Sequence, residues 1–255
     1  MSIVTAHYIT HQGKANPTQE DSLLIRNLVV QESMLVSRKE NTQLPNIFAV
    51  ADGIAGLAYG EIASRLTLEI LSDLYHNGSP AIHPLLRSTQ QKLSLHAMKF
   101  PKYYGMGTTI AGVKIRNDGI DIFNVGDSRV YQITDTGLIQ HTIDHTLLNS
   151  MIRNGDLSVQ EAVSVGDMYK MLESCIVAGE DGDDFEIHCK TLPLTSSSYL
   201  ICTDGVHDML SDTDIYALID QDFSQSVQRI YDSVMARGAK DNFSLIIVDI
   251  FSPLV

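Results

Sequence analysis

GTTIAGVKIRNDGIDIFNVGDSRVYQITDTGLIQH, residues 107–141, is the stretch of the chain that decides its fold class. The turn signals NDG and DTG divide it into short segments of β-like composition. These predicted strands cover residues 108–115, 120–124, 129–134 and 137–141. Such tight turns predict an antiparallel meander, because parallel strands need long crossover connections.

Helical and further strand patterns surround this stretch. Residues 60–75 carry apolar side chains at the spacing of one helix face, and Ser158 with Glu161 forms a possible capping box. Further helices are predicted at 80–98, 212–219 and 223–236, irregular helical structure at 144–174, and strands at 3–9, 22–30, 47–51, 185–191, 198–202 and 243–251. Two helical blocks around two groups of antiparallel strands predict an α+β layered sandwich and exclude a doubly wound nucleotide-binding fold. No repeat or linker divides the sequence, so we expect one domain over residues 1–255.

The composition narrows the function classes. With 44% hydrophobic and 19% charged residues among 255, the chain has the composition of a globular protein. Its net charge of −13 disfavours binding to nucleic acid or to an anionic membrane, and its apolar runs are too short to cross a bilayer. We expect no signal peptide at the N-terminus. The three cysteines lack C-x-x-C spacing, which favours a reducing cytoplasm.

Four acidic motifs carry the chemical information, and each flanks an apolar run. They are Glu20-Asp21, Asp52-Gly53, Asp204-Gly205 and Asp241-Asn242. A carboxylate at the end of a buried strand can point into a cleft, and oxygen ligands of this kind bind hard cations. Aspartate in place of His or Cys favours Mg²⁺ or Mn²⁺ over zinc.

The simpler interpretation is that Asp-Gly and Asp-Asn are turn dipeptides. This interpretation explains any single motif. For all four motifs, however, it requires that an apolar strand, an acidic residue and a small neighbouring residue occur together by chance each time. The pattern therefore predicts metal-assisted hydrolysis.

The order and spacing of seven short motifs resemble those of the metal-dependent PPM, or type 2C, serine/threonine protein phosphatases. The motifs are QEDS (19–22), VADGIAG (50–56), GTT (107–109), NVGDSRVY (124–131), DHT (144–146), CTDGVHD (202–208) and KDNFSLIIV (240–248). The resemblance extends from about residue 5 to 250. It implies a four-layer α-β-β-α sandwich whose two central antiparallel sheets surround two, and in some members three, Mn²⁺ or Mg²⁺ ions that activate water for attack on phosphorus.

The resemblance also implies roles for the carboxylates of the main metal pair. Asp52 is similar to the residue that bridges the two metals. The Gly53 carbonyl and Glu20 would bind one metal, and Asp204 with Asp241 the other.

Three further positions match accessory roles in the family. Asp21 resembles a residue that holds water beside the metals. Asp127 and Asp208, together with Asp204, match the positions that bind a third metal in many bacterial members.

The chain departs from the family pattern at its phosphate clamp. Family members usually carry an Arg four residues before the first-motif Glu, and here that position is Asn16. Loss of a planar cation that can bind two phosphate oxygens is expected to weaken substrate binding. Lys14 is a candidate replacement.

Other departures lie near the remaining motifs. Ile54 stands where relatives often have His or Met, and His207 in CTDGVHD is more simply structural than a replacement acid. The segment 165–179 after DHT, which shapes substrate choice in the family, is less basic here, and Met168 and Met171 in it are expected to be packing residues.

Three functions follow from these patterns. The first is a Mn²⁺- or Mg²⁺-dependent phosphatase for phosphoserine and phosphothreonine in proteins, opposing a Ser/Thr kinase. The second is a regulatory or binding module with this fold and weak or absent catalysis, favoured by the missing Arg. The third is a hydrolase of small phosphoesters.

Overall fold

The computed structural model of the chain describes residues 3–33, 40–42, 44–54, 56–78, 80–165, 169, 171–179 and 184–251. Two six-stranded antiparallel sheets form its centre. Sheet A has the order β10-β9-β13-β14-β1-β4 and is built from β1 (Ile3–His11), β4 (Glu40–Thr42), β9 (Arg129–Thr134), β10 (Gly137–Gln140), β13 (Ser197–Cys202) and β14 (Phe243–Phe251). Sheet B has the order β12-β8-β7-β5-β2-β3 and is built from β2 (Asp21–Ile25), β3 (Leu28–Val30), β5 (Asn46–Asp52), β7 (Ile110–Ile115), β8 (Ile120–Val125) and β12 (His188–Leu192).

Helices and a small ribbon complete the fold. A short antiparallel ribbon joins β6 (Gly107–Thr108) to β11 (Ile176–Val177). The helices are α1 (Gly60–His76), α2 (Ile82–Lys99), α3 (Leu147–Asn154), α4 (Val159–Val165), α5 (Asp204–His207), α6 (Asp212–Leu218) and α7 (Phe223–Ala236), with a 3-10 turn at Pro101–Tyr103. None of the helices in these described ranges is long and apolar enough to span a membrane.

Apolar packing arranges these elements in four layers. Between the sheets, Val50 of β5 belongs to the same buried cluster as Val248 of β14. The outer face of sheet B packs against α1 and α2 through residues such as Leu71 and Leu86. The outer face of sheet A packs against α6 and α7. This α-β-β-α order confirms the predicted sandwich.

Strand β14 shows why the apolar runs of this sequence are continuous. Ile246 and Val248 face the other sheet, whereas Leu245 and Ile247 face the helices. A strand in the middle of four layers buries both faces, so polar and apolar residues need not alternate along it.

The predicted single meander is wrong. Strands β7 and β8 form a hairpin in sheet B, and β9 and β10 form a second hairpin in sheet A. The chain crosses between the sheets at Gly126, whose φ of 97° suits glycine. Local turn signals specify each hairpin but not which sheet it joins, and this crossing brings Asp127 to the middle of the molecule.

Other predicted elements need smaller corrections. The predicted strand 22–30 is a hairpin of β2 and β3, because Arg26 adopts a left-handed φ of 63° and turns the chain. The predicted capping box exists, since the Glu161 carboxylate accepts from the Ser158 backbone N–H and the Glu161 N–H donates to the Ser158 hydroxyl. Helix α7 has the predicted bounds.

Candidate metal centre

A cavity of about 540 Å³ opens where the two sheets meet. Five carboxylates line it, Glu20, Asp52, Asp127, Asp204 and Asp241. Four of them belong to the four acidic motifs, and the fifth, Asp127, follows the crossing at Gly126. Together they lie at the ends of strands of both sheets. Strand ends separated by up to about two hundred residues therefore converge on one cavity.

Strand pairing fixes the first two motifs relative to each other. Asp21 opens β2 and lies opposite Asp52, the last residue of β5. The Gly53 N–H then donates to the Glu20 carbonyl over 3.2 Å. A Cβ on Gly53 would lie 2.5 Å from the Gly60 backbone, so this position requires glycine for space.

The other two acidic motifs meet by close backbone packing. Asp204 lies two residues after the end of β13, and Asp241 lies two residues before the start of β14, the strand that pairs with β13. A Cβ on Gly205 would lie 1.9 Å from the Asn242 carbonyl oxygen. The Asp-Gly dipeptide here thus serves a close approach of two chain segments.

Asn242 ties the last motif to the first. Its Oδ1 accepts from the Glu20 N–H at 2.7 Å, and its Nδ2 donates to the carbonyls of Gln12 at 2.6 Å and Thr18 at 3.0 Å. The side chain is 3% exposed. It satisfies three backbone groups of the loop that carries Glu20, which sets the position of that carboxylate.

The GTT motif supports Asp52 from behind. The Thr108 hydroxyl donates to the Asp52 carbonyl at 2.7 Å, and the Thr109 N–H donates to the same oxygen at 2.8 Å. The Thr109 hydroxyl is 2.8 Å from that of Ser128. These two threonines therefore connect Asp52 to the crossing that carries Asp127.

The DHT motif fixes the crossing itself. Asp144 accepts three hydrogen bonds from the Arg129 guanidinium at 2.6–3.1 Å. The Gly126 N–H donates to His145 Nδ1 at 3.1 Å, and the His145 N–H donates to the Gly126 carbonyl at 3.1 Å. Asp127 lies between the two anchored positions, so the DHT residues position a carboxylate without lining the cavity.

The cavity carboxyl groups share one electrostatic environment. Burial and neighbouring carboxylates raise the pKa of Asp21 to about 7, of Asp127 to about 8 and of Asp204 to about 6. Burial, then the charges of Asp21 and Asp204, raise the pKa of Asp52 well above its ordinary value. Burial is also the main cause of the raised pKa of Glu20. Each group loses solvation and meets negative charge, and cations would relieve both penalties.

The donor set fits a hard cation. Asp21 Oδ1 and Asp204 Oδ1 are buried and have no hydrogen-bond partner among the described residues, although Thr203 Oγ1 donates to the other Asp21 oxygen at 2.8 Å. Carboxylate and carbonyl oxygens without protein donors are the ligands that Mg²⁺ and Mn²⁺ prefer.

The carboxylates lie further apart than the ligands of a single ion. Within the described ranges, no group of three or more His, Cys, Asp or Glu side chains is close enough together to hold a metal ion. Asp52 and Asp204 are near enough that each shifts the other's pKa.

The structure separates the two phosphate-clamp candidates. Asn16 lines the cavity, and its Nδ2 donates to Asp241 Oδ1 over 2.5 Å. Lys14 Nζ instead donates to the Met235 carbonyl in the last turn of α7 at 2.8 Å, and Lys14 is not among the cavity-lining residues. The structure therefore does not support Lys14 as a phosphate contact.

Two predicted residues of CTDGVHD lie beside the cavity. Asp208 is exposed and does not line it, although its charge contributes to the raised pKa values of Asp127 and Asp204. His207 Nε2 is 3.2 Å from the Asp127 carbonyl oxygen, which agrees with a structural role for this histidine.

Met168 and Met171 were both expected to be packing residues, and the structure contradicts this expectation for Met171. Met171 is 70% exposed and lines the cavity together with Leu172 and Ile54. Its segment is held at the rim because the Leu147 N–H donates to the Met171 carbonyl at 2.9 Å. Met168 lies outside the described residues. The apolar wall was missed because an isolated Met or Ile in sequence does not differ from a core residue.

Comparison with known proteins agrees with this fold. The sequence pattern of the family described as "Protein phosphatase 2C" matches residues 21–245. The chain belongs to this family, which confirms the resemblance seen in its motifs.

Individual relatives extend the comparison. The serine/threonine phosphatase stp of Listeria monocytogenes is 28% identical over 222 residues, covering 82% of this chain and 86% of that protein. The crystal structure of the Mycobacterium tuberculosis serine/threonine phosphatase PstP/Ppp superposes with a TM-score of 0.79 at 23% identity, covering 97% of this chain and 98% of that one. A structure of the PstP catalytic domain with two manganese ions matches with a TM-score of 0.75 at 23% identity, covering 99% of this chain and 100% of that one. The structural matches support the same fold.

Proposed function

We propose that this chain is a Mn²⁺- or Mg²⁺-dependent protein phosphatase that hydrolyses phosphoserine and phosphothreonine. The observation that carries the proposal is the convergence of carboxylates from both sheets on one cavity, in a member of the protein phosphatase 2C family. The serine/threonine phosphatase relatives and the two manganese ions of the PstP structure support the substrate class and the cofactor. We further propose that residues 1–255 act as one domain, in the cytoplasm and in opposition to a Ser/Thr kinase.

The proposed metal residues follow the positions of the carboxylates. Asp52 would bridge two ions, with Glu20 and the Gly53 carbonyl on one and Asp204 and Asp241 on the other. All five residues line the cavity, which supports this assignment.

The proposed accessory residues lie at its margins. Asp127 and Asp208, with Asp204, are the candidates for a third ion. Asp21 is buried behind Asp52 and is oriented by the Thr203 hydroxyl, a position suited to holding water in place.

The chain's own charges explain why cations are needed. No Lys, Arg or His is among the described residues that line the cavity, whereas five carboxylates are. A phosphate dianion entering such a site is repelled unless the carboxylates are neutralised. When bound, Mn²⁺ or Mg²⁺ supplies that neutralisation and lowers the pKa of water for in-line attack on phosphorus.

The second candidate is a regulatory or binding module with little catalysis. Asn16 at the clamp position favours it, because an amide cannot supply the charge of a guanidinium. The complete set of cavity carboxylates argues against it.

Phosphate release from a phosphothreonine peptide tests the proposal. We expect turnover with Mn²⁺ or Mg²⁺ and none in excess chelator. Hydrolysis of p-nitrophenyl phosphate alone would assign the chain to small phosphoesters, and no hydrolysis of either compound with metal would favour the binding module.

A further inference from the structure

Charge is distributed very unevenly along this acidic chain. Residues 74–117 contain no Asp or Glu, although the whole chain has 31 acidic residues and a net charge of −13. Within the same stretch lie Arg87, Lys92, Lys99, Lys102, Lys114 and Arg116. Four of these, Arg87, Lys92, Lys99 and Lys102, lie on helix α2 and the 3-10 turn after it, which therefore form a basic region of this acidic chain.

A groove lies on this basic region, between α1 and the end of α2. It has a volume of about 260 Å³ and is lined by Ile62, Arg65, Leu66, His96, Phe100, Lys102 and Tyr103. None of these lining residues is acidic. Its floor is apolar, and Phe100 remains 41% exposed. Leu95 and Met98 on the same helix are 63% and 54% exposed, so apolar surface extends beyond the groove.

Two ammonium groups of the region lie over its aromatic rings. Lys102 Nζ is 4.7 Å from the centroid of the Tyr103 ring, and Lys99 Nζ is 5.5 Å from that of Phe100. Arg65 is already paired with Glu69 at 2.8 Å. Lys99 and Lys102 are therefore the cations best placed to attract a negative partner beside an apolar surface.

A row of aromatic contacts joins the groove to the metal-centre cavity. The Tyr103 ring contacts His96 at 5.6 Å on the groove side and Tyr59 at 5.1 Å on the other side. Tyr59 is followed by Gly60, whose backbone packs against Gly53 and the Glu20 side chain, both of which line the cavity. The row of aromatic rings therefore ends one residue from the wall of the cavity.

We propose that the groove docks a segment of the phosphoprotein substrate that is acidic and carries an aromatic or large aliphatic side chain. The apolar side chain would enter the groove lined by Leu66 and Phe100, and the acidic residues would face Lys102 in the groove and Lys99 over the Phe100 ring. Because the chain as a whole is acidic, an acidic segment is drawn to the basic region formed by α2 and the 3-10 turn rather than to surfaces rich in carboxylates. The inference deepens the proposed function and rests on it, because it names the substrate class of the same site.

Two phosphothreonine peptides test this docking. One carries a block of Glu residues around a Phe, and the other has Gln and Ala in the same places, with the block set at graded spacings on either side of the phosphothreonine. At the best spacing we expect a KM about tenfold lower for the acidic peptide, with kcat unchanged. Lys102→Glu and Phe100→Ala are expected to remove most of this difference.

The controls separate docking from catalysis. Lys190→Glu makes the same charge change at β12, an edge strand of sheet B, and is expected to leave the KM difference intact. Hydrolysis of p-nitrophenyl phosphate, which is too small to reach the groove, is expected to be equal in all variants. Equal KM values for the two peptides at every spacing, or an equal loss in Lys190→Glu, would overturn the docking site.

A separate measurement covers the case in which the proposed function fails. If no phosphate compound is hydrolysed with Mn²⁺, fluorescence anisotropy of the acidic peptide without its phosphate still measures docking. Binding that is weakened by Lys102→Glu and not by Lys190→Glu would then support the groove, and no binding by the unaltered protein would overturn it.

Discussion

Asn16 donates a hydrogen bond from Nδ2 to Oδ1 of Asp241, and the two atoms are 2.5 Å apart. The same Asp241 oxygen also accepts from the Asn242 N–H at 2.8 Å. The residue that stands at the family's clamp position is therefore bound to a proposed metal carboxylate. It faces the cavity, as the clamp interpretation requires.

Replacing Asn16 with Arg is expected to lower the KM for phosphopeptides. A guanidinium at this position can form charge-assisted hydrogen bonds to phosphate, worth about 1.5–3 kcal/mol each, and partial exposure reduces the expected gain to about tenfold. Because the new cation also lies beside Asp241, we expect the Mn²⁺ concentration for half-activation to rise. Steady-state kinetics at several Mn²⁺ concentrations measure both effects.

Two variants serve as controls for the clamp. Asn16→Gln changes length without charge and is expected to leave KM near its original value. Lys14→Ala is expected to do the same, since Lys14 Nζ is bonded to Met235. A rise in KM in Lys14→Ala would show that this side chain leaves α7 to bind phosphate.

The variant Asp52→Asn is expected to abolish activity without unfolding the protein. The change removes one negative charge from the proposed bridge, and activity should fall by at least about a hundredfold. Because burial and neighbouring charges penalise the Asp52 carboxylate, the metal-free variant should melt no lower than the unaltered protein. Asp118→Asn, at the exposed β7–β8 turn, controls for loss of an Asp. Retained turnover in Asp52→Asn would contradict the bridging role.

Alanine substitutions at three further carboxylates should reduce turnover to different extents. Asp204→Ala and Asp241→Ala are each expected to reduce kcat by at least about tenfold, as loss of transition-state charge stabilisation typically does. Asp127→Ala should be milder, because its proposed metal is accessory. The measurement is kcat with saturating Mn²⁺, and equal losses at all three positions would refute the distinction between main and accessory ions.

The cavity carboxylates could be predicted because each is marked locally. Asp52 and Asp204 both follow an apolar run and precede a glycine, and this combination is visible within a few residues. Their partners are not marked in this way. That Asn242 bonds the loop of Glu20, or that Arg129 bonds Asp144, depends on which strands become neighbours, and no local pattern specifies that.

The failed predictions have the same cause. The NDG and DTG turns correctly define two hairpins, but the assignment of β9 to sheet A follows from its pairing with the distant strand β13. Met171 was expected to pack because methionine is usually apolar core, whereas it lies at the cavity rim. Register and layer are decided by long-range burial, which a single sequence records only weakly.

Metal-free protein is expected to lose stability as pH rises from about 4 to about 8. Asp204, Asp21 and Asp127 have folded-state pKa values of about 6, 7 and 8, whereas unfolded Asp titrates near 3.9. Between those limits the folded state binds more protons than the unfolded state, so the free energy of unfolding decreases with pH. The measurement is Tm at about pH 5 and pH 8, with and without Mn²⁺.

Two comparisons isolate this effect. Burial lowers the pKa of His11, His141 and His145, and these histidines make stability rise with pH. The change of Tm with pH in the unaltered protein is therefore compared with that in Asp127→Asn. The variant should lose less stability between the two pH values. Mn²⁺ should raise Tm more at pH 8 than at pH 5, because protons compete with the metal for the same oxygens. A larger rise at pH 5 would contradict the assigned pKa shifts.

Breaking the Arg129–Asp144 pair should be costly although neither residue lines the cavity. Asp144 is 7% exposed, and its carboxylate accepts three guanidinium hydrogen bonds, so Asp144→Ala leaves a largely buried cation without its partner. We expect a loss of about 3 kcal/mol in the free energy of unfolding, measured by denaturant titration. The matched change is Glu186→Ala, which breaks the pair with Arg153 at 3.0 Å, where both side chains are about half exposed. That pair should contribute at most about 1 kcal/mol. Because the Asp144 network also positions Asp127, Asp144→Ala should weaken Mn²⁺ activation as well. Equal destabilisation by Asp144→Ala and Glu186→Ala would show that the crossing at Gly126 does not depend on the Arg129–Asp144 pair.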